Sequence, residues 1–157
     1  MRSDLLEHAK TALFLDLLRE SGRARLRVAG NSMLPTFRVG DMIVVEALRD
    51  TTMRPAEIVV FVQNGRFCTH RVFKSCGSNV ITRGDANRHL DFPVSKQECW
   101  ARVIAIERKG AQITALAPRP ALSFVMRYSS LARTLFLWMT SNRGAGSVPE
   151  FAVVTNS

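Results

Sequence analysis

No stretch of this 157-residue chain offers the roughly eighteen uninterrupted apolar residues that a membrane-crossing helix needs. The nearest approach, Ala121 to Ser141, is broken by Arg127 and Arg133, which argues against a simple span. Cysteine is sparse: Cys68, Cys76 and Cys99 are an odd number without metal-ligand spacing, and they read as reduced thiols of a cytosolic protein. Acidic residues are in deficit, 13 against 22 Lys and Arg, for a formal charge of +9. Such a balance invites an anionic partner. The arginines are nevertheless scattered, with no run and no interleaved aromatics, so nucleic acid is not expected. A cleavable leader is not expected either, because Met1-Arg2-Ser3-Asp4 runs straight into a mixed amphipathic stretch. Finally, no lysine occurs between Asp41 and Phe73.

What is present is ordinary globular composition, 46% hydrophobic and 22% charged, at a length that suits one domain with a real core. Asp4 with Glu7 resembles a capping box, Leu6, Ala9, Leu13 and Leu17 mark one helical face, and Ser21-Gly22 ends the helix. Residues 1–24 therefore read as a helix packed on the core, with Leu5, Phe14, Leu15 and Leu18 left on other faces. From 25 to 117 short β-rich runs alternate with turns: Arg25 to Val28, Met42 to Glu46, Ile58 to Val62, Phe67 to Lys74, Val80 to Thr82 and Trp100 to Ile106. Asn64-Gly65 between the third and fourth runs is a strong hairpin signal. This pattern implies a mainly β domain, a barrel or folded sheet. After the break at Pro118-Arg119-Pro120, residues 118–157 form a C-terminal amphipathic helical segment and a Gly/Ser-containing mobile tail. Residues 121–141 suit either a membrane surface, with Tyr128 and Trp138 as anchors, or the back of the sheet.

The chemistry concentrates in Gly30-Asn31-Ser32-Met33-Leu34-Pro35-Thr36, followed by Gly40-Asp41. A small polar residue in a strand-to-turn bend, fenced by an apolar residue and a proline, displays one hydroxyl on a rigid shelf. A free hydroxyl is a poor nucleophile until a base takes its proton. With no lysine nearby, His70 on the return strand of the hairpin is the local candidate, since an imidazole needs no strong desolvation to act as a base near pH 7. Lys74 lies at an even offset from His70 and could share its face. An imidazole base needs a carboxylate on its second nitrogen. Asp85 and Asp91, in Gly84-Asp85-Ala86-Asn87-Arg88-His89-Leu90-Asp91, both qualify.

Taken together, Ser-Met-x-Pro-Thr, Gly-Asp, a hairpin with His-Arg-Val and Gly-Asp-x-Asn…Asp resemble the type I signal peptidases and LexA-like self-cleaving repressors, the S24/S26 serine peptidases. The histidine makes the pattern most similar to the archaeal and endoplasmic-reticulum-type signal peptidases, and the likeness covers Gly30 to about Arg108. The resemblance implies a compact LexA/signal-peptidase-like β-fold and a serine endopeptidase that needs no cofactor or metal. It implies Ser32 as nucleophile, His70 as base, Asp91 as the acid that orients it and Asp85 as a support. Asn31, Met33 and Pro35 would hold the oxyanion and the loop. The expected substrate is a peptide or precursor protein, cut in its leader after small residues.

Two positions depart from that family. The serine often found two residues before the nucleophile is Gly30, which leaves the oxyanion to the backbone N–H of Ser32 and the amide of Asn31. A second Gly-Asp, ahead of Ile58, reads Ala56-Glu57. The weakened oxyanion position keeps an alternative open: a catalytically weak relative acting as a peptide-binding or membrane-associated module. Fewer residues precede the serine than a helix-turn-helix module needs, an expectation against a repressor. The expected location is the cytoplasm or the inner face of a membrane. A specialised substrate is expected over general secretion.

Overall fold

Ile58 to Val62 is an uninterrupted apolar run, the mark of a strand buried on both faces. The computed structural model describes residues 2–63, 66–114, 116–117 and 128–141, side chains of 2–8, 130, 132–133, 137 and 140–141 aside. In it the run is β3 (Ile58–Gln63). Around it lie β1 (Arg23–Arg27), β2 (Met42–Ala47), β4 (Arg66–Cys76), β5 (Asn79–Arg83), β6 (Val94–Ser95), β7 (Cys99–Arg108) and β8 (Ala111–Ile113). Helices α1 (Arg2–Ser21) and α2 (Ser130–Ser141) flank them. The strands form one antiparallel sheet in the order β1-β2-β7-β3-β4-β5-β6, with β8 paired to β7. The mainly β architecture with an N-terminal helix agrees with the LexA-like fold expected above.

Alternation along β3 divides the core. Ile58 and Val60 join Phe14, Leu18, Leu26, Phe37, Ile43, Val45 and Val103 on the α1 side. Val59 and Phe61 join Met53, Val72, Val80, Val94 and Cys99 on the other. The Gln63↔Arg66 register closes the β3–β4 hairpin over two residues, although Asn64 and Gly65 themselves lie outside the described residues. Tail residues 142–157 and the break at 118–120 lie outside them too.

Three expectations are corrected. Helix α1 begins at Arg2, so Asp4 falls within its first turn instead of capping it. The buried side of α1 is Phe14 and Leu18, whereas Leu13 is 54% exposed. Leucines surround this helix, so spacing alone assigns no single direction. Phe14 decides it by meeting Phe67 edge-on at 4.8 Å between ring centroids; truncating such a buried ring to Ala costs about 3–5 kcal/mol. Lys74 does not share the face of His70, because a register shift between Val72 and Lys74 breaks the period-two count and Lys74 points to solvent.

In the C-terminal segment, the helix runs over Ser130–Ser141 while 121–127 fall outside the described residues. Phe136 packs against Leu34 and Ala86, with the Arg38 guanidinium 5.3 Å from its ring centroid. Leu131, Leu135, Trp138 and Met139 remain exposed. No helix among the described residues is long and apolar enough to cross a membrane.

Candidate active site

Strand β1 continues through Val28 into a loop whose neck is closed by two hydrogen bonds, Val28 N–H to Asp41 O (2.9 Å) and Gly40 N–H to Val28 O (2.8 Å). Gly40 supplies the turn with φ +89°, a conformation that a side chain disfavours. Asp41 then anchors the loop, accepting from Arg38 N–H at 2.8 Å and from Arg108 Nε at 2.9 Å. That bonding to Asp41, against the cost of burial, pushes the Arg108 guanidinium further up from its ordinary range. Met33, Leu34, Pro35 and Phe37 are buried, so the loop plugs into the core and holds Ser32 half-buried between them and solvent. Asn31 is exposed. The Ser32 N–H has no acceptor among the described residues and remains available as an oxyanion donor.

His70 sits on β4 opposite Val59, its ring edge-on to Phe61 at 6.0 Å. Its Nε2 lies 3.0 Å from Ser32 Oγ. Its Nδ1 lies 2.6 Å from Asp91 Oδ2. With Nδ1–H donating to the carboxylate, Nε2 is left as an acceptor for the serine hydroxyl. Thr82, fully buried on β5, donates to the same Asp91 oxygen at 2.7 Å, and Asp91 N–H donates to Thr82 O at 2.9 Å. Burial works against ionisation of Asp91, but the bonds from His70 and Thr82 and the charges of His70 and Arg83 outweigh it. Its carboxyl is held below the ordinary value of 3.8.

Asp85 does something different. It takes a bidentate pair from Arg71, Nε to Oδ1 and Nη2 to Oδ2, both 2.8 Å, and a 2.5 Å bond from the Thr36 hydroxyl. Arg71 points to the face of β4 opposite His70 and also donates to Ala56 O (2.8 Å) and Leu116 O (2.9 Å). This buried cluster joins β4, the Gly84-Asp85 turn and the serine loop behind the hydroxyl. The Ala86 N–H closes the same junction on Ser32 O at 2.8 Å.

A cleft of about 560 Å³ opens on Ser32 and His70 and runs along residues 26–30 and 66–70. Among the described residues no strand pairs with the outer edge of either segment: β1 ends the sheet, and β5 joins β4 only from Arg71 onward. Cys68 lines the cleft; burial, then the Asp91 charge, pushes its thiol up, which suits a wall and not a nucleophile. Burial also lifts Cys99, to about 11. Among the described residues no group of three His, Cys, Asp or Glu is disposed to hold a metal ion.

With that geometry in place, a profile of the Peptidase S24-like family matches residues 6–103. The chain belongs to that family. No curated protein and no solved structure matches it. In this S24-like chain the matched region contains Ser32, His70, Asp85 and Asp91. The structure brings the first two and Asp91 into one hydrogen-bonded chain and sets Asp85 behind the serine loop. Sequence reasoning placed Thr36 and Arg71 inside the Ser-Met-x-Pro-Thr and His-Arg-Val motifs but gave neither a role, and it missed Thr82. The signal for Thr82 was a polar residue in phase with the apolar Val80. The roles of Arg71 and Thr36 appear only through contacts across the fold.

Proposed function

We propose that this S24-like chain is a serine endopeptidase of signal-peptidase type, closest in chemistry to the enzymes that use a histidine base. In this reading Ser32 Oγ attacks the peptide carbonyl while His70 Nε2 takes its proton and later delivers it to the leaving amine. Asp91 fixes the imidazole and steadies the imidazolium. The Ser32 N–H and the Asn31 side chain hold the oxyanion. Water then releases the acyl group by the same steps in reverse. The substrate lies as an added strand between the two edges that line the cleft. The family resemblance suggests cleavage after small residues in a leader or signal-like peptide. The exposed Leu131, Leu135, Trp138 and Met139 support a membrane surface as a second contact, with α2 lying in the headgroup region.

The observation that carries this reading is the unbroken chain from Ser32 Oγ through His70 to Asp91. The test is covalent labelling by a serine-directed fluorophosphonate, followed by mass mapping. Labelling at Ser32 that is lost in Ser32→Ala and His70→Ala is the expected result. An unlabelled wild type whose peptide binding survives both substitutions favours the weak relative that acts as a binding module.

A further inference from the structure

We propose that the cleft selects an acidic side chain on the substrate three to five residues from the scissile bond, a specificity that rests on the peptidase reading above. Among the described residues, the cleft lining contains three cations, Lys10, Arg27 and Arg66, and no aspartate or glutamate. Arg27 and Arg66 precede Ser32 and His70 by five and four residues in the two segments that wall the cleft. Lys10 comes from α1, Arg27 from the end of β1 and Arg66 from the start of β4.

The arginines of β1 show how Arg27 differs from its neighbours. Arg23, Arg25 and Arg27 alternate along the strand and share a face. Arg23 is neutralised by Glu46 at 3.1 Å and Arg25 by Glu107 at 2.9 Å. The register then sets Arg27 opposite Met42. Its Nε is buried with no hydrogen-bond partner among the described residues. A buried guanidinium nitrogen without an acceptor is costly unless something arrives to fill the place. Across the cleft, Arg66 pairs in register with Gln63, which offers no charge.

Distance sets the position. From His70 back to Arg66 is four strand residues, about 13 Å of extended chain. A substrate strand running beside β4 therefore brings its fourth residue from the bond, give or take one, between Arg27 and Arg66. Apolar walls nearer the serine, Met33 and Phe37 among them, take the small side chains. The bidentate fork of arginine suits a carboxylate there.

The experiment uses peptides of one sequence with a small residue at the bond and Glu, Gln or Lys at each position within about six residues of it. The expected result is a kcat/KM about five- to tenfold higher for Glu than for Gln at one position three to five residues away, with Lys below both. That ratio shrinks toward one in about 0.5 M salt and in Arg27→Gln and Arg66→Gln. Arg66→Glu turns the preference toward Lys, an inversion that loss of folding does not produce. Equal rates for all three peptides at every position, or a Glu preference that survives Arg27→Gln with Arg66→Gln, overturns the inference and leaves the peptidase reading intact. The same peptides are also titrated against Ser32→Ala by fluorescence anisotropy. If wild type cleaves none of them, the peptidase reading fails on its own. Tighter binding of Glu peptides then still supports an acid-selecting cleft, and equal binding overturns it.

Discussion

The backbone N–H of Ala86 donates to the carbonyl oxygen of Ser32 at 2.8 Å, so the turn carrying Asp85 is fastened directly to the residue displaying the hydroxyl. Ser32, Asp85 and Asp91 thereby belong to one rigid junction, with β4 supplying His70 on one face and Arg71 on the other. The arrangement places the hydroxyl by backbone contact and the imidazole by a strand position.

Gly84 makes that junction possible. A Cβ there would sit 2.6 Å from Ser32 O and 2.9 Å from Ser32 Cβ, well inside contact distance. Gly84→Ala is expected to push the serine loop away while the sheet remains folded. A displacement approaching 1 Å corresponds to a fall of about 10² in kcat. Peptide cleavage compared with circular dichroism checks it; unchanged kcat would show that the loop yields without moving the hydroxyl.

The two aspartates separate by what they are bonded to. Asp91→Asn is expected to lower kcat by about 10²–10⁴ with a loss of stability smaller than that of Asp85→Asn. Asp85→Asn breaks a buried pair with Arg71 and is expected to destabilise by about 3–5 kcal/mol. Kinetics and thermal melts on both variants would expose an exchange of these roles.

Asp91 also leaves a signature in acid. Its folded pKa lies below 3.8, so its contribution to stability is present above that value and is lost as pH falls through the lower folded one. Wild type should therefore lose more stability than Asp91→Asn between about pH 5 and pH 2. Denaturant melts across that range read the difference, and parallel curves would count against the depressed carboxyl.

Gly30 leaves room for an added donor, since a Cβ built there meets nothing within 4 Å. Gly30→Ser restores the hydroxyl often found two residues before the nucleophile. If that hydroxyl reaches the oxyanion, kcat should rise by about 10-fold or more, toward the 10² that one such donor supplies. A KM change without a kcat change would assign the position to binding instead.

Ala56 carries a backbone cost that its sequence conceals. It holds φ +75°, where glycine is at ease, and its N–H and carbonyl are engaged with Val72 and Arg71. Ala56→Gly should stabilise the fold by about 0.5–1 kcal/mol, a rise of about 1–4 °C in melting temperature, with catalysis unaltered. A lower melting temperature would mean that glycine's entropy in the unfolded chain dominates.

Local chemistry was legible in the residue order, because it acts over a few neighbours. Gly40-Asp41 made a turn, the Ile58 to Val62 run made a doubly buried strand, and the fenced Ser32 marked a displayed hydroxyl. What local patterns omit is which distant segments meet. Ser32 and His70 stand 38 residues apart, Thr36 and Asp85 49, so only the closing of the sheet decides their distances. The same holds for α1, where Phe14 and not the leucine stripe found the core, since packing volume chooses a face that periodicity leaves open. Residue order determined which groups this protein possesses; burial and strand pairing decided which of them touch, because side-chain contact depends on three-dimensional closure that no short window of sequence contains.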